Sequence, residues 1–209
     1  MKIENIKPGD IEKKSFEIIT EILKDKVLDE ENADVIKRAI HTSADFDYAD
    51  NLYFSENVTK TLVCAIKNGA HIVTDTKMAK SGINKRLLAK YGGEVHCFIS
   101  DEDVAETAKK RGVTRAIISM EKACTLDKPI IFAIGNAPTA LIKIKELVEE
   151  KKVNPIGVIG VPVGFVNVIE SKEGIINSNI PCIVARGRKG GSNIAAAIVN
   201  ALIYKLGRN

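Results

Sequence analysis

Short apolar runs recur along most of the chain, and longer amphipathic stretches separate them. The runs that predict strands lie at 70–74, 94–99, 129–134, 156–161 and 181–185. They are almost continuously apolar, which is typical of strands covered on both faces. The segment 51–54 is also compatible with a short strand.

The stretches between these runs have the apolar spacing of helices. They predict helices at 10–27, 31–41, 56–68, 76–91, 101–124, 138–151, 165–176 and 192–206. Alternating strands and helices predict a parallel sheet with helices on both faces. No internal repeat or linker interrupts the pattern, so we expect one α/β domain over residues 1–209, doubly wound around a mainly parallel five-stranded sheet, with extra N-terminal helices.

Composition narrows the class of protein. The 209 residues are 45% hydrophobic and 28% charged, with a net charge of +4 that would suit an anionic small molecule. We expect neither nucleic acid nor a membrane as a partner, because no concentrated basic face and no bilayer-spanning run is present. The N-terminus lacks a signal-peptide pattern, and the four cysteines have no paired spacing for zinc or redox chemistry. These features favour a cytoplasmic protein with free thiols.

Residues 41–50 form the densest cluster of reactive side chains, with a histidine, two small hydroxyls and three carboxylates in ten positions. The preceding helix has its apolar face at Val35, Ile36, Ala39 and Ile40. His41 falls on the other side of that helix, where a core histidine would not lie. We therefore interpret His41 as a functional proton donor or acceptor. The alternative is a solvated histidine that complements the helix dipole.

Ligands of open parallel sheets bind beyond the carboxyl ends of the strands. The segments that leave those ends are 74–78, 100–101, 135–139, 160–164 and 186–192. Three of them place glycine or proline before a helix, where free N–H groups can bind an anion. Segment 186–192 adds three cations and Ser192 as a predicted N-cap, so it suits a phosphate or a carboxylate. Solvated charges in a tight loop, and ordinary turn chemistry at 135–139, are the structural alternatives.

The other histidines, His71 and His96, are flanked by strand residues. Each is better explained as a hydrogen-bonded core or edge histidine than as a catalytic one. No spacing supports a metal site built from the three histidines, and we predict none. Arg115 opens a predicted helix, where a cation opposes the helix dipole, so a role other than helix stability is indicated.

Several motifs, in the same order along nearly the whole chain, resemble the precorrin-8X methylmutases, also called cobalt-precorrin-8 methylmutases. The most specific are Arg38-Ala-Ile-His41-Thr-Ser-Ala-Asp45-Phe-Asp47, Thr74-Asp75-Thr76-Lys-Met78, Gly135-Asn136-Ala137-Pro138-Thr139-Ala140-Leu141, Gly160-Val-Pro162-Val-Gly164-Phe165-Val-Asn167 and Arg186-Gly-Arg188-Lys189-Gly190-Gly191-Ser192. The resemblance implies a flavodoxin-like three-layer fold and a homodimer with active sites near its interface.

The resemblance also implies a reaction in cobalamin (vitamin B12) biosynthesis. A methyl group moves from C-11 to C-12 of precorrin-8X or cobalt-precorrin-8, giving hydrogenobyrinate or cobyrinate. The step is intramolecular and needs no cofactor, since any cobalt is carried by the tetrapyrrole substrate. His41 is then the general acid or hydrogen-bond donor to a ring nitrogen.

The resemblance further implies where a polycarboxylate macrocycle would bind. Ser15 and Arg115 match substrate-contact positions of the family. Further candidate cations and hydroxyl or amide donors are Arg38, Thr42, Thr74, Thr76, Asn136, Thr139, Arg186 and Arg188. Two alternatives stay open: a non-catalytic tetrapyrrole carrier with His41 as a ligand, and a flavodoxin-like nucleotide-binding or flavin protein that uses loops 135–139 and 186–192 for phosphate.

Overall fold

The computed structural model describes residues 6–207 and contains one mixed sheet. Its strands are β1 (Leu52–Phe54), β2 (His71–Thr74), β3 (Val95–His96), β4 (Ile130–Ile134), β5 (Gly157–Gly160) and β6 (Cys182–Ala185). They are arranged in the order β1-β6-β5-β4-β2-β3. Strands β2 to β6 are mutually parallel, and β1 runs antiparallel to β6.

The expected five-stranded sheet is therefore corrected to six strands within residues 6–207. The additional strand is β1, which pairs Leu52 with Ala185 and Phe54 with Ile183 at the sheet edge. Three residues are too few to establish a period of two, so only the tertiary pairing decides that this segment is a strand.

Eleven α-helices surround the sheet in the described residues, after a 3-10 turn at Pro8–Asp10. They are α1 (Ile11–Ile22), α2 (Ala33–Ser43), α3 (Tyr48–Asn51), α4 (Val58–Lys67), α5 (Lys77–Gly82), α6 (Lys85–Ala89), α7 (Glu102–Arg111), α8 (Arg115–Ala123), α9 (Pro138–Glu149), α10 (Val168–Ile176) and α11 (Ser192–Tyr204).

Two hydrophobic cores lie on opposite faces of the sheet. Side chains of successive strand residues alternate between them, as the pleat requires. Ile131 of β4 belongs to the core that contains residues of α2 and α11, whereas Phe132 belongs to the core that contains residues of α8 and α9. The expected α/β class, with a mostly parallel sheet between helices, is thus present.

Several predicted helices are shorter or divided. The predicted helix 76–91 is two helices, and Asn84 caps the second by accepting a hydrogen bond from the N–H of Leu87. The predicted helix 101–124 breaks at Gly112, which adopts the left-handed conformation at φ 64°. Thr114 then caps α8. Helix-like apolar spacing continued through both breaks, so periodicity alone did not reveal them.

In the part of the chain that the structure describes, no helix is both long and apolar enough to cross a membrane.

Candidate functional site

The loops at the carboxyl edge of the sheet pack tightly against one another. A Cβ atom on Gly135 would lie 2.6 Å from Cα of Ser192, and one on Gly190 would lie 2.1 Å from the carbonyl oxygen of Val161. Only glycine permits such close backbone approach. The loops after β4, β5 and β6 therefore form one continuous surface.

Asp75 organises the loop after β4. The residue is buried directly after β2, and its carboxylate accepts hydrogen bonds from the backbone N–H groups of Gly135, Asn136 and Ala137 at 2.7–2.9 Å. Burial raises the pKa of this carboxyl, and the three N–H donors oppose that shift. The anion site predicted before α9 is thus filled by the protein's own carboxylate.

A pocket of about 510 Å³ opens beside this loop. Four residues predicted from the sequence line it together, namely Thr76, Arg115, Asn136 and Thr139. The Thr139 hydroxyl lies 3.0 Å from that of Thr114, the N-cap of α8. Arg115 is exposed at the start of α8, which leaves its guanidinium available to an anionic group.

Thr74 occupies a different environment from the other threonines. It is fully buried, and its hydroxyl lies within hydrogen-bond distance of the carbonyl oxygens of Thr76 (3.1 Å) and His96 (3.2 Å). Its position favours holding the strand ends together. Ser192 is the first residue of α11 rather than its N-cap, which is Gly191; its hydroxyl pairs with that of Thr76 at 2.7 Å.

Segment 186–191 is held from two sides. Lys189 forms ion pairs with Asp45 (2.7 Å) and Asp47 (2.6 Å), and its ammonium group lowers the pKa of Asp45. Below the loop, the buried Lys172 donates hydrogen bonds to the carbonyl oxygens of Gly187 and Lys189, both at 2.8 Å. Burial lowers the pKa of Lys172 to about 8.

The two arginines of this segment have different surroundings. Arg186 lies over the ring of Tyr53 at 5.1 Å and is 3.7 Å from Glu173. Arg188 is exposed and makes no ion pair with any residue in 6–207. Arg188 is therefore the more available of the two for a bound carboxylate.

His41 lies in the last turn of α2 and is exposed, as its position outside the apolar face predicted. Its ring stacks on Phe16 of α1 at a centroid distance of 5.4 Å, with 27° between the planes. The chain then turns at Ala44, with φ 55°, toward the acidic residues that bind Lys189. His41 thus borders the same edge of the sheet as segment 186–191.

The remaining candidates lie on the helices around His41. The Ser15 hydroxyl donates to the carbonyl of Ile11 in α1, and the Thr42 hydroxyl donates to the carbonyl of Arg38 in α2. Arg38 forms an ion pair with Glu12 at 2.5 Å and stacks over Phe16 at 4.6 Å. The Arg38 side chain is only 15% exposed, and its contacts with Glu12 and Phe16 link α2 to α1.

Sequence reasoning missed the residues that position these loops. Asp75 is one residue beyond a buried strand, and that placement of a carboxylate was the available signal. Lys172 carried no signal, because a lysine on a helix is exposed in most proteins. Lys172 is buried beneath the loop that contains Gly187 and Lys189, which follow it by 15 and 17 residues in the chain.

The fold and these contacts define an α/β protein with a candidate ligand surface at the carboxyl edge of a parallel sheet, where a histidine, cations and hydroxyl groups lie. The chain belongs to the precorrin-8X methylmutase family, whose model matches residues 10–205.

Individual relatives agree with this assignment. A cobalt-precorrin-8 methylmutase from Salmonella typhimurium is 48% identical over 205 residues, which cover 95% of this chain and 96% of the relative. A precorrin-8X methylmutase from Pseudomonas aeruginosa is 35% identical over 79% of this chain and 80% of its own. The solved structure of precorrin-8X methyl mutase from Thermus thermophilus superimposes with a TM-score of 0.84 at 34% identity, covering 93% of this chain and 96% of that one.

Proposed function

We propose that this protein moves a methyl group from C-11 to C-12 of precorrin-8X or cobalt-precorrin-8, yielding hydrogenobyrinate or cobyrinate for cobalamin. One observation carries the proposal: in a chain of this family, an exposed histidine stands at the loop-lined edge of the sheet. The reaction is an isomerisation, so the methyl group that leaves one ring carbon is the one gained by the next. The reaction therefore needs no oxidant or reductant.

His41 acts in this proposal as the general acid, or as a hydrogen-bond donor, toward a ring nitrogen. Migration of the methyl group increases electron density on the nitrogen beside the migration terminus. A donor aimed at that nitrogen stabilises the transition state more than the ground state. Phe16, stacked on the imidazole, restricts its orientation and so favours one donor direction.

Substrate carboxylates are the proposed partners of the cations around the edge. Arg115 and Arg188 are exposed and face no carboxylate among residues 6–207, so they pair with the substrate at little cost to the fold. The proposed contacts in the pocket also include Thr76, Asn136 and Thr139. Arg186 adds a proposed contact from segment 186–191. Four further residues support the proposed site, and their polar groups already form hydrogen bonds or an ion pair within the protein: Ser15, Arg38, Thr42 and Thr74.

The finer features of the fold are proposals of the same kind. Without β1, the parallel strands have the order 2-1-3-4-5 in chain order, which supports a flavodoxin-like arrangement. A single sheet shared by both cores supports one domain over residues 1–209. The four free cysteines support a reducing, cytoplasmic location.

A homodimer is also part of the proposal. Helix α1 exposes Ile11, Ile18 and Ile22, which are 53%, 46% and 58% accessible. Their spacing places them on one face of the helix. An apolar stripe of this kind supports contact with a second copy of the chain. We propose that methyl migration uses no cofactor held by the protein and that cobalt enters the reaction only within the substrate.

The alternative of a nucleotide or flavin protein is less well supported. It requires free N–H groups in loop 135–139 for phosphate, and Asp75 accepts hydrogen bonds from three of them. A tetrapyrrole carrier fits the same surface as a mutase does. A carrier and a mutase differ in whether the bound tetrapyrrole is converted to product.

The visible absorption spectrum of the protein mixed with precorrin-8X, or with its cobalt form, tests the proposal because methyl migration changes the chromophore. We expect conversion by the native protein and by Lys37→Ala, a control on the same helix. His41→Asn should bind the pigment and leave its spectrum unchanged. Conversion by His41→Asn at the native rate would remove His41 from the mechanism. Binding without conversion by the native protein would identify a carrier, and neither binding nor conversion would refute the proposal.

A further inference from the structure

Two histidines that the proposed reaction does not use lie side by side on neighbouring strands. His71 opens β2, at the end of the strand opposite to Thr74, and His96 ends β3. Nδ1 of His71 is 2.7 Å from Nε2 of His96. The ring planes differ by only 6° with centroids 5.0 Å apart, so the rings meet edge to edge in an N–H···N hydrogen bond. This pair is built by the register of β2 and β3, which aligns Val73 with His96.

A carboxylate completes the cluster. Glu94 directly precedes the edge strand β3 and lies two residues before His96, a spacing that in extended backbone directs both side chains to the same face. An oxygen of Glu94 lies 3.9 Å from Nε2 of His96. The three ligand atoms of His71, Glu94 and His96 all lie within 4.8 Å of one another. Two imidazoles and one carboxylate are a ligand set that binds Zn²⁺ in proteins.

We propose that His71, Glu94 and His96 form a binding site for a divalent transition-metal ion of the Zn²⁺ class at the edge of the sheet. Zn–N bonds of about 2.0–2.1 Å in a tetrahedral site separate two ligand nitrogens by about 3.3 Å, so the rings rotate slightly apart as the ion replaces their hydrogen bond. The site supplies three protein ligands, and water takes the fourth position.

The exposure of the proposed ligands is compatible with metal binding. His71 is buried, which gives the site one rigid ligand, whereas the Glu94 side chain is 71% exposed and free to close over an ion.

Metal binding would fasten β3, the shortest strand of the described sheet, to β2. β3 is only two residues long and pairs with β2 alone. An ion bound by His71 of β2, by His96 of β3 and by Glu94 just before β3 would link the two strands directly. Metal binding should therefore raise the melting temperature of the protein.

Calorimetric titration of the full chain with Zn²⁺, after treatment with a chelator, tests the site directly. We expect saturable one-to-one binding and a higher melting temperature with the ion. Glu94→Gln and His96→Gln should each weaken binding at least about tenfold, the scale seen even for residues that only support metal ligands. The Glu94 side chain is exposed, so Glu94→Gln leaves the core intact and a loss of binding cannot be attributed to misfolding.

Matched controls separate this site from other metal-binding groups. Glu106→Gln removes an exposed carboxylate elsewhere, and His41→Ala and Cys64→Ser remove an exposed imidazole and thiol. All three variants should bind Zn²⁺ as the native protein does. Absence of saturable binding, or binding unchanged in both Glu94→Gln and His96→Gln, would overturn the inference. The readout is metal binding, so the result does not depend on the proposed methylmutase activity.

Discussion

The imidazole of His41 stacks on the ring of Phe16 across the α1–α2 interface, with centroids 5.4 Å apart. Phe16 also lies under the guanidinium of Arg38 at 4.6 Å, and Arg38 is fixed by its ion pair with Glu12. The exposed histidine is therefore attached to a supported aromatic ring. Orientation of His41 depends on α1, an element outside the repeating strand-helix pattern.

Replacing Phe16 tests this dependence. Phe16→Leu keeps apolar volume and loses the stacked ring, an interaction worth about 0.5–1.5 kcal/mol, so kcat should fall by about two- to tenfold. KM should change little, because the protein cations proposed to bind the substrate carboxylates are untouched. Phe16→Tyr, which keeps the ring, is the matched control. An unchanged kcat in Phe16→Leu, measured by the spectral assay, would show that stacking does not position His41.

Arg115 is expected to bind a substrate carboxylate. Its removal in Arg115→Ala should raise KM about tenfold or more with kcat nearly constant, because a charge-assisted hydrogen bond contributes about 1.5–3 kcal/mol. High salt should raise KM more in the native protein than in the variant. Arg86→Ala, which removes an exposed arginine from α6, should leave KM unchanged. Equal KM values for native protein and Arg115→Ala would exclude the contact.

Asp75 should be essential to the loop before α9. Asp75→Ala leaves the N–H groups of Gly135, Asn136 and Ala137 without their acceptor, which should lower the free energy of unfolding by about 3 kcal/mol. Chemical denaturation measures this loss. Asp127→Ala, at an exposed aspartate, should change stability by less than about 0.5 kcal/mol. Similar losses in both variants would contradict an anchoring role for Asp75.

Lys172 should make stability depend on alkaline pH. Its pKa is about 8 in the folded protein, against an ordinary value of 10.5. Between these values the unfolded chain binds the proton and the folded chain does not, so the Lys172 contribution to stability rises with pH. The full rise, about 3 kcal/mol, is reached near pH 10.5 and is absent below pH 8.

Denaturation of native protein and Lys172→Met at pH 7, 9 and 10.5 measures this contribution. The native protein should gain up to about 3 kcal/mol relative to the variant as the pH rises, since pH effects of other groups cancel in the comparison. Lys145→Met, at a lysine whose side chain is 41% exposed, is the control and should show a constant difference. A constant difference for Lys172→Met as well would contradict the lowered pKa.

The apolar stripe on α1 should mediate self-association. Ile18→Glu places a charge in the centre of the stripe, and we expect it to shift the protein from dimer to monomer in light scattering. Ile142→Glu alters a 38% exposed isoleucine on α9 and should leave the dimer intact. A native protein that is already monomeric, or a dimer that survives Ile18→Glu, would show that α1 is not the interface.

Most of the sheet was predictable from the chain alone. β4, β5 and β6 are uninterrupted apolar runs, and β2 has Ile72 and Val73 between two buried polar residues, because strands covered on both faces are mostly apolar. The predicted strand 94–99 contains β3 but is longer than its two residues, and segment 51–54, which was only compatible with a strand, contains β1. Two or three residues carry no periodic signal that would set the bounds. The exposure of His41 followed from helical spacing relative to Val35 and Ala39, which is a local property.

Local sequence thus determined the α/β class, the strand-end loops and the side of α2 on which His41 lies. Only the tertiary structure decided which polar groups are already bound within the protein. Asp75 meets its N–H partners about 60 residues later in the chain, and Lys189 meets Asp47 across 142 residues. The pairing of His71 with His96 likewise required strand register. Such contacts depend on the packing of distant segments, which the spacing of residues along one segment does not encode.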